Sequence, residues 1–459
     1  MNRSKSSDSD CRPPWKKMTK KPVPTWRAVV YLLYDIILLL ASVVLLPYAL
    51  LKGIRHGNSW RGLGERIGFY SRERLADLQG KPLIWVHAVS VGEVRAAMPL
   101  LRQVKEAYPQ SSLILSTMTF TGQAIARDSG LADLCVFFPY DLSWIARRVF
   151  RKLPLDLLVI VETEIWPNFI HQAKKAGIPI VLVNGRISDR SFPRYKFIRP
   201  LLRPVLQNFS SFCMQSETDA QRIRYLGAPS ERVGVPGNLK FDMQVVAPEP
   251  ARIISLKEKF RLPEETMIWV AGSTRSGEHE ILVEAYRQLV TEGIAVVLVL
   301  VPRHIERCKV VGELLASEKI PYVLRSSLQK DTRWVQPGEV LLVDTMGEML
   351  DLYATADLVF VGGSLVPVGG HNILEPALLK KPVLFGPYMH NFKEISRLLL
   401  SAKGGVQVAD RQDLVLQIRN LLKDSRARRV LGNNGNSVLA SNAGATRKTL
   451  DVMKSFLES

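Results

Sequence analysis

Leu358-Val359-Phe360-Val361-Gly362-Gly363-Ser364-Leu365-Val366-Pro367-Val368-Gly369-Gly370-His371-Asn372-Ile373-Leu374-Glu375-Pro376 is the stretch on which the reading of this chain turns. Its first residues are uniformly apolar, which predicts a short buried strand, and the Ala/Leu-rich run after Pro376 predicts a helix. Glycines between a strand and a helix let backbone N–H groups approach an anionic ligand, and the helix N-terminus adds the positive end of its dipole. His371 and Asn372 stand where side chains reach a phosphate, a ribose or a sugar. Glu375 falls in the first helical turn, placed to accept from ribose hydroxyls or to complement the dipole. A lone Gly-Gly would read as a tight turn. Two such pairs bracketing a short loop, ahead of His-Asn and Glu-Pro, outline a nucleotide-sugar site.

Outward from this stretch the same grammar repeats. Apolar runs at Leu83–His87, Leu113–Ser116, Leu157–Val161, Ile178–Val183 and Ser211–Met214 predict the strands of one unit. Ile268–Ala271, Ile294–Val301, Tyr322–Leu324, Val340–Val343, Leu358–Val361 and Val383–Phe385 predict those of a second. Short strands alternating with amphipathic helical stretches argue for parallel sheets with right-handed crossovers, hence an α/β protein with two Rossmann-like, doubly wound domains. The division falls near Val245–Arg252, where Ala-Pro-Glu-Pro interrupts the pattern, giving domains at 53–245 and 246–459. Ligands in such sheets bind at the carboxyl ends of strands, so the motifs are expected to face a cleft between the domains.

A chain of 459 residues accommodates this architecture with room for a membrane element. Its net charge of +19 calls for an anionic partner. Cys11, Cys135, Cys213 and Cys308 form no Cys-x-x-Cys pair, which excludes a zinc ribbon and a disulfide framework and fits a reducing compartment. Residues 1–25 read as a disordered basic tail and 26–52 as a membrane-anchor helix. Ala28–Leu51 is almost wholly apolar, close to the ~20 residues that span a bilayer, and is flanked by lysines and arginines on both sides. The flanks leave open whether it spans or lies in the interface.

Several further motifs fall at strand ends. His87-Ala88-Val89-Ser90-Val91-Gly92-Glu93 puts Ser90 and Glu93 at a helix start, where the dipole favours the carboxylate that a general base needs; a capping glutamate fits the position equally. Glu162-Thr163-Glu164-Ile165-Trp166-Pro167-Asn168 is rich in carboxylates suited to a polyhydroxylated substrate. Asn184-Gly185-Arg186 adds a guanidinium able to fork onto carboxylate or phosphate. Ser273 sits in Ala271-Gly272-Ser273-Thr274-Arg275-Ser276-Gly277-Glu278, another loop with donors for a phosphate. Arg303 and His304 end the strongest strand, the former a cation for phosphate or carboxylate and the latter able to stack or donate. Asp344-Thr345-Met346-Gly347-Glu348 is a loop of the same kind. No His/Asp/Glu cluster has metal-ligand spacing, and neither a Walker phosphate loop nor a nucleophile elbow occurs.

Together with Gly237-Asn238-Leu239-Lys240-Phe241-Asp242, these motifs resemble, in the right order and from the anchor nearly to the C-terminus, the 3-deoxy-D-manno-octulosonic-acid (Kdo) transferases of bacterial lipopolysaccharide synthesis. The resemblance implies a GT-B-type fold, an N-terminal acceptor-binding domain and a C-terminal domain for CMP-Kdo. It implies a lipid A precursor (lipid IVA) as acceptor, inversion, and neither metal nor cofactor. It makes Glu93 the general base. It assigns Pro302–His304, Gly362–Ser364 and Asn372–Glu375 to the CMP moiety, with Ser90, Arg186, Ser273, Arg303, His304, Gly362, Gly363, Ser364, His371, Asn372 and Glu375 as the substrate and donor residues. It places the enzyme on the cytoplasmic face of the inner membrane, against anionic lipids. Two positions depart from the family pattern: Arg275 stands where histidine is common, and Gly185 where alanine is common.

Two other classes fit parts of the chain. A GT-B enzyme using a UDP-sugar shares the architecture and differs in the nucleotide released. A nucleic-acid-binding membrane protein would explain the charge, but it requires basic residues interleaved with aromatics in one groove, whereas here they are scattered among strand ends. No nucleic-acid partner is expected.

Overall fold

The computed structural model describes residues 31–43, 62–76, 78–243, 248–329 and 333–458. They fall into two compact units, the first comprising the chain up to Asp242 together with Gly444–Ser459, the second Met243–Ala443. The chain passes from the first unit to the second between Asp242 and Met243. The C-terminal segment departs from the expected division, because the helix Ala445–Leu457 packs on the helix Val91–Ala107 of the first unit. Its burial of Ala445, Leu450 and Met453 against Val94, Leu101 and Val104 is what holds it there.

The first unit is built on a seven-stranded parallel sheet: β1 (Leu83–His87), β2 (Ser112–Thr117), β3 (Leu134–Phe137), β4 (Leu157–Val161), β5 (Ile180–Gly185), β6 (Ser211–Met214) and β7 (Val233–Gly234). The spatial order is β3-β2-β1-β4-β5-β6-β7. Helices cover both faces, so alternate residues of one strand enter different cores: Leu83 and Trp85 one, Ile84 and Val86 the other. Chain order reverses between β1 and β4, which makes the carboxyl ends of those two strands the topological switch point.

The second unit repeats the plan with β8 (Met267–Thr274), β9 (Val296–Pro302), β10 (Tyr322–Leu324), β11 (Val340–Leu342), β12 (Leu358–Val361), β13 (Val383–Phe385) and β14 (Val406–Gln407). Their order is β10-β11-β9-β8-β12-β13-β14, again all parallel, with the switch point between β8 and β12. Three residues other than glycine at strand ends, Glu162, Asn184 and Ser273, adopt left-handed backbone with φ of 58°, 54° and 57°. Such a conformation costs about 1 kcal/mol or more and persists where surrounding contacts impose it.

The expected tail at 1–25 lies outside the described residues, as do both ends of the expected anchor. Residues 31–43 are helical. Among the described residues no helix is long and apolar enough to cross a membrane. The helix is two-faced: Leu32, Leu33, Ile36, Ile37, Leu40 and Val43 are exposed, while Tyr31 and Asp35 turn onto the first unit. The Tyr31 ring stacks on His171 at 4.1 Å, and Asp35 accepts from Asn168 Nδ2 at 2.7 Å and from the Ser143 amide at 3.1 Å. One side of this segment is thus part of the fold of the first unit.

Candidate active site

Glu93 leaves the first sheet's switch point in the first turn of the helix Val91–Ala107, and it is buried. Its Oε2 accepts from the Val89 amide at 2.7 Å and its Oε1 from the Ser90 hydroxyl at 3.0 Å. These contacts are those of a capping carboxyl, so the capping geometry is present. The charge state differs from the expectation of a carboxylate held ionised by the dipole. Burial, and next the Glu162 carboxylate, raise the Glu93 carboxyl to about 8, with Glu164 adding to the rise and the Val89 and Ser90 donors opposing it. Two hydrogen bonds and a helix end do not offset desolvation beside other acids.

Around Glu93 the loops after β4 and β5 are tied together. The Arg186 amide donates to Thr163 Oγ1 at 3.1 Å, and that hydroxyl bonds the Arg186 carbonyl in return. Glu162 is met by Lys240 Nζ at 3.2 Å. Lys240 comes from the Gly237–Asp242 motif, which folds against β5 because Asn184 Oδ1 accepts from the Leu239 amide at 3.0 Å. Asp242 closes the motif by accepting from the Gly444 and Thr446 amides, both at 2.5 Å, which caps the C-terminal helix. Glu164 is also raised, by burial and then by Glu162. His87 is wholly buried, stacked on Phe138 at 3.7 Å, and burial lowers its imidazole to about 3, so it is a neutral part of the floor.

In the second unit the glycine loop follows β12 as its sequence predicts, but its amides are not open to a ligand. Glu278, wholly buried at the end of the β8 loop, accepts from Gly363 N at 2.7 Å, Ser364 N at 2.9 Å, Leu365 N at 2.8 Å and Arg275 N at 2.8 Å. The Gly362 amide donates to the Gly272 carbonyl at 2.8 Å. The anion cradle read from Gly362, Gly363 and Ser364 is therefore filled by the protein's own carboxylate, a correction to the reading of these amides as phosphate donors. Glycine at 362 has a packing reason: a Cβ there would lie 2.6 Å from Thr274 Cα and 2.7 Å from the Ser273 carbonyl.

The cations gather beside that loop. Arg275 Nε donates to His371 Nε2 at 3.1 Å, and Arg275 Nη1 lies 2.6 Å from His304 Nε2. A guanidinium only donates, so both ring nitrogens accept in this arrangement. Burial lowers His371 to about 4, helped by Arg275, Arg303 and His304. Burial and then Arg303 lower Arg275. His371 is set by Gly363, where a Cβ would come within 2.9 Å of the ring, and by the Gly370 amide donating to the Gly363 carbonyl at 2.7 Å. Asn372 Nδ2 donates to Glu375 Oε1 at 3.1 Å in the first turn of the helix Leu374–Leu378, leaving Glu375 buried. The loop Asp344–Glu348 has its acids engaged internally: Asp344 by Ser326 and Glu348 by Arg325 and Thr345.

Thus Arg303, His304 and His371 stand in one cluster with Arg275, while Ser90, Glu93 and Arg186 belong to the first unit. Sequence reasoning missed Glu278 as keystone and Lys240 and Asp242 as supports. Among the described residues, no group of three or more His, Cys, Asp or Glu side chains is arranged to hold a metal ion.

The 3-Deoxy-D-manno-octulosonic-acid transferase (kdotransferase) family matches residues 61–243. A 3-deoxy-D-manno-octulosonic acid transferase of Haemophilus influenzae is 36% identical over 93% of this chain and 98% of its own length. One from Chlamydia pneumoniae is 30% identical over 92% of this chain and 96% of its own. Among solved structures, a glycosyltransferase from Rickettsia africae superposes with a TM-score of 0.57 at 16% identity, over 83% of this chain and 99% of that one. An Anabaena protein solved in complex with UDP gives 0.56 at 15% identity, over 81% and 99%. The structural likenesses establish the shared two-sheet fold.

Proposed function

The chain belongs to the 3-deoxy-D-manno-octulosonic-acid transferases, which makes it a Kdo transferase of lipopolysaccharide biosynthesis, and from that premise we propose that it moves Kdo from CMP-Kdo to lipid IVA with inversion. Glu93 takes the proton of the attacking hydroxyl. The anomeric carbon of the donor passes through an oxocarbenium-like state as the bond to the phosphate oxygen breaks. Positive charge around the leaving phosphate, preorganised before the reaction, lowers that barrier. Arg303 supplies it, with His304 and His371 around it. CMP leaves with a single phosphate, and protein cations take the part a metal plays for more highly charged leaving groups.

The observation that carries the assignment of the base is the Glu93 carboxyl, raised to about 8 by burial and Glu162. A base serves best with a pKa near the working pH. The exposed apolar face of helix 31–43 and the basic balance of the chain support attachment to an anionic membrane surface, on the cytoplasmic face of the inner membrane. The test is direct. Purified protein is incubated with CMP-Kdo and lipid IVA, the product is weighed, and the released nucleotide is identified. A mass increase of one or more Kdo residues with release of CMP is expected; no transfer to lipid IVA, or turnover of a UDP-sugar instead, refutes the reading.

A further inference from the structure

We propose that Arg275 receives the carboxylate of the donor's sugar, beside a phosphate held by Arg303, so that the cluster takes two adjacent anions. The inference rests on the donor reading above and adds a subsite to it. Its ground is the row of groups along the carboxyl edge of the second sheet. Arg303 follows β9, Arg275 follows β8, and the loop bearing His371 follows β12, on three neighbouring strands. Adjacent strands lie about 4.8 Å apart, so successive cations along that edge are spaced for anions borne on one small group. In CMP-Kdo the phosphorus and the carboxylate carbon are three bonds apart, both attached through the anomeric carbon.

The surroundings of Arg275 leave one edge of its guanidinium open. Its Nε and Nη1 face ring nitrogens of His371 and His304, which orient the guanidinium. Glu278, the acid whose field reaches Arg275, is sealed beneath four backbone amides. Nη2 has no acceptor among the described residues, and neither does the Arg303 guanidinium. The backbone of Arg275 is itself fixed, by its amide on Glu278 and by the left-handed Ser273 two residues earlier. A guanidinium held on two sides, with a free edge, is a fork for a planar carboxylate.

The experiment compares two ligands that differ by the sugar acid. Wild type, Arg275→Ala, Arg275→Lys and Arg303→Ala are assayed for KM of CMP-Kdo and for Ki of CMP, with UDP as a third ligand. Arg275→Ala is expected to raise KM for CMP-Kdo about 10–100-fold, the effect of one lost charge-assisted contact, and to change Ki of CMP by less than about threefold. Arg275→Lys should recover part of the loss, and Arg303→Ala should raise both constants together. Melting temperature and acceptor KM should stay at wild-type values, which a merely structural role would not allow. Equal losses for CMP and CMP-Kdo in Arg275→Ala would assign Arg275 to the phosphate and overturn the proposal. UDP binding more tightly than CMP in wild type, with that advantage lost in Arg275→Ala, would assign the second cation to a diphosphate and overturn it as well. Wild type that neither turns over CMP-Kdo nor binds CMP would instead remove the donor reading on which the proposal stands.

Discussion

Replacing Glu93 by glutamine separates the base from the cap, because the two roles respond differently to pH. The folded carboxyl is raised from its ordinary 4.5 to about 8, so the folded state holds the proton more tightly than the unfolded chain does. That contribution is fully present below pH 4.5 and is lost as pH rises to about 8. Each pH unit in this window is worth about 1.4 kcal/mol, so ionising Glu93 in the fold costs at most about 5 kcal/mol. Glutamine keeps the shape: its Oε1 can accept from the Val89 amide, and the Ser90 hydroxyl can turn to accept from its Nε2. Glu93→Gln should therefore melt with wild type near pH 5 and several degrees above it near pH 9. Turnover should fall about 10²–10⁴-fold, the usual contribution of a general base, with the KM of CMP-Kdo unchanged. In wild type, kcat/KM should rise with pH towards a plateau above about 8, as the carboxylate forms. Near-normal turnover in the variant, with a loss of about 1 kcal/mol at every pH, would make Glu93 a cap and send the search to Glu162 and Glu164.

Asp242→Ala should free the start of the C-terminal helix, costing about 1–2 kcal/mol on a thermal melt and exposing residues after Gly444 to limited proteolysis. Gly362→Ala has no room for its methyl beside Thr274 and Ser273, and should cost about 1–3 kcal/mol in stability and weaken CMP binding in calorimetry. Removing residues 1–61 should raise solubility without detergent, yet lower stability by about 1–3 kcal/mol, since Asn168 Nδ2 and the Ser143 amide lose Asp35. Excess EDTA should leave turnover unchanged, and a loss restored by added divalent metal would overturn the metal-free mechanism.

The two sheets were legible because buried parallel strands are continuous apolar runs, and Leu157–Val161 or Val296–Val301 admit few other readings. The strands that escaped were the four-residue β3 and the two-residue edges β7 and β14, since Val-Gly and Val-Gln carry no period. The return of the C-terminal helix to the first unit escaped for a different reason. Its sequence says helix, and which unit buries Leu450 and Met453 is settled in three dimensions. At the candidate sites, sequence alone placed Glu93, Arg303, His304 and His371 after strands, where the structure has them. That placement was not enough to find what each touches: Lys240 meets Glu162 across 78 positions of sequence, and Glu278 meets Gly363 across 85.

The two switch points treat a glutamate in opposite ways, and the contrast shows why charge state was the hardest property to read. Glu93 and Glu278 each follow the first strand of a sheet, each precede or open a helix, and each are buried. By local sequence both are N-terminal carboxyls that a dipole favours in the ionised form. Glu278 receives four backbone N–H bonds from two loops, so it holds those loops in place. Glu93 receives one amide and one hydroxyl, and the groups beside it are Glu162 and Glu164, which make a proton welcome. Exchanging these environments should exchange the roles. A Glu162→Gln, Glu164→Gln variant removes the neighbouring acids, lowers the Glu93 carboxyl, and should move the acid limb of the pH–rate profile to lower pH while retaining turnover at its plateau. An acid limb that stays where it was would show that burial alone sets Glu93, and that the acids after β4 serve the substrate instead.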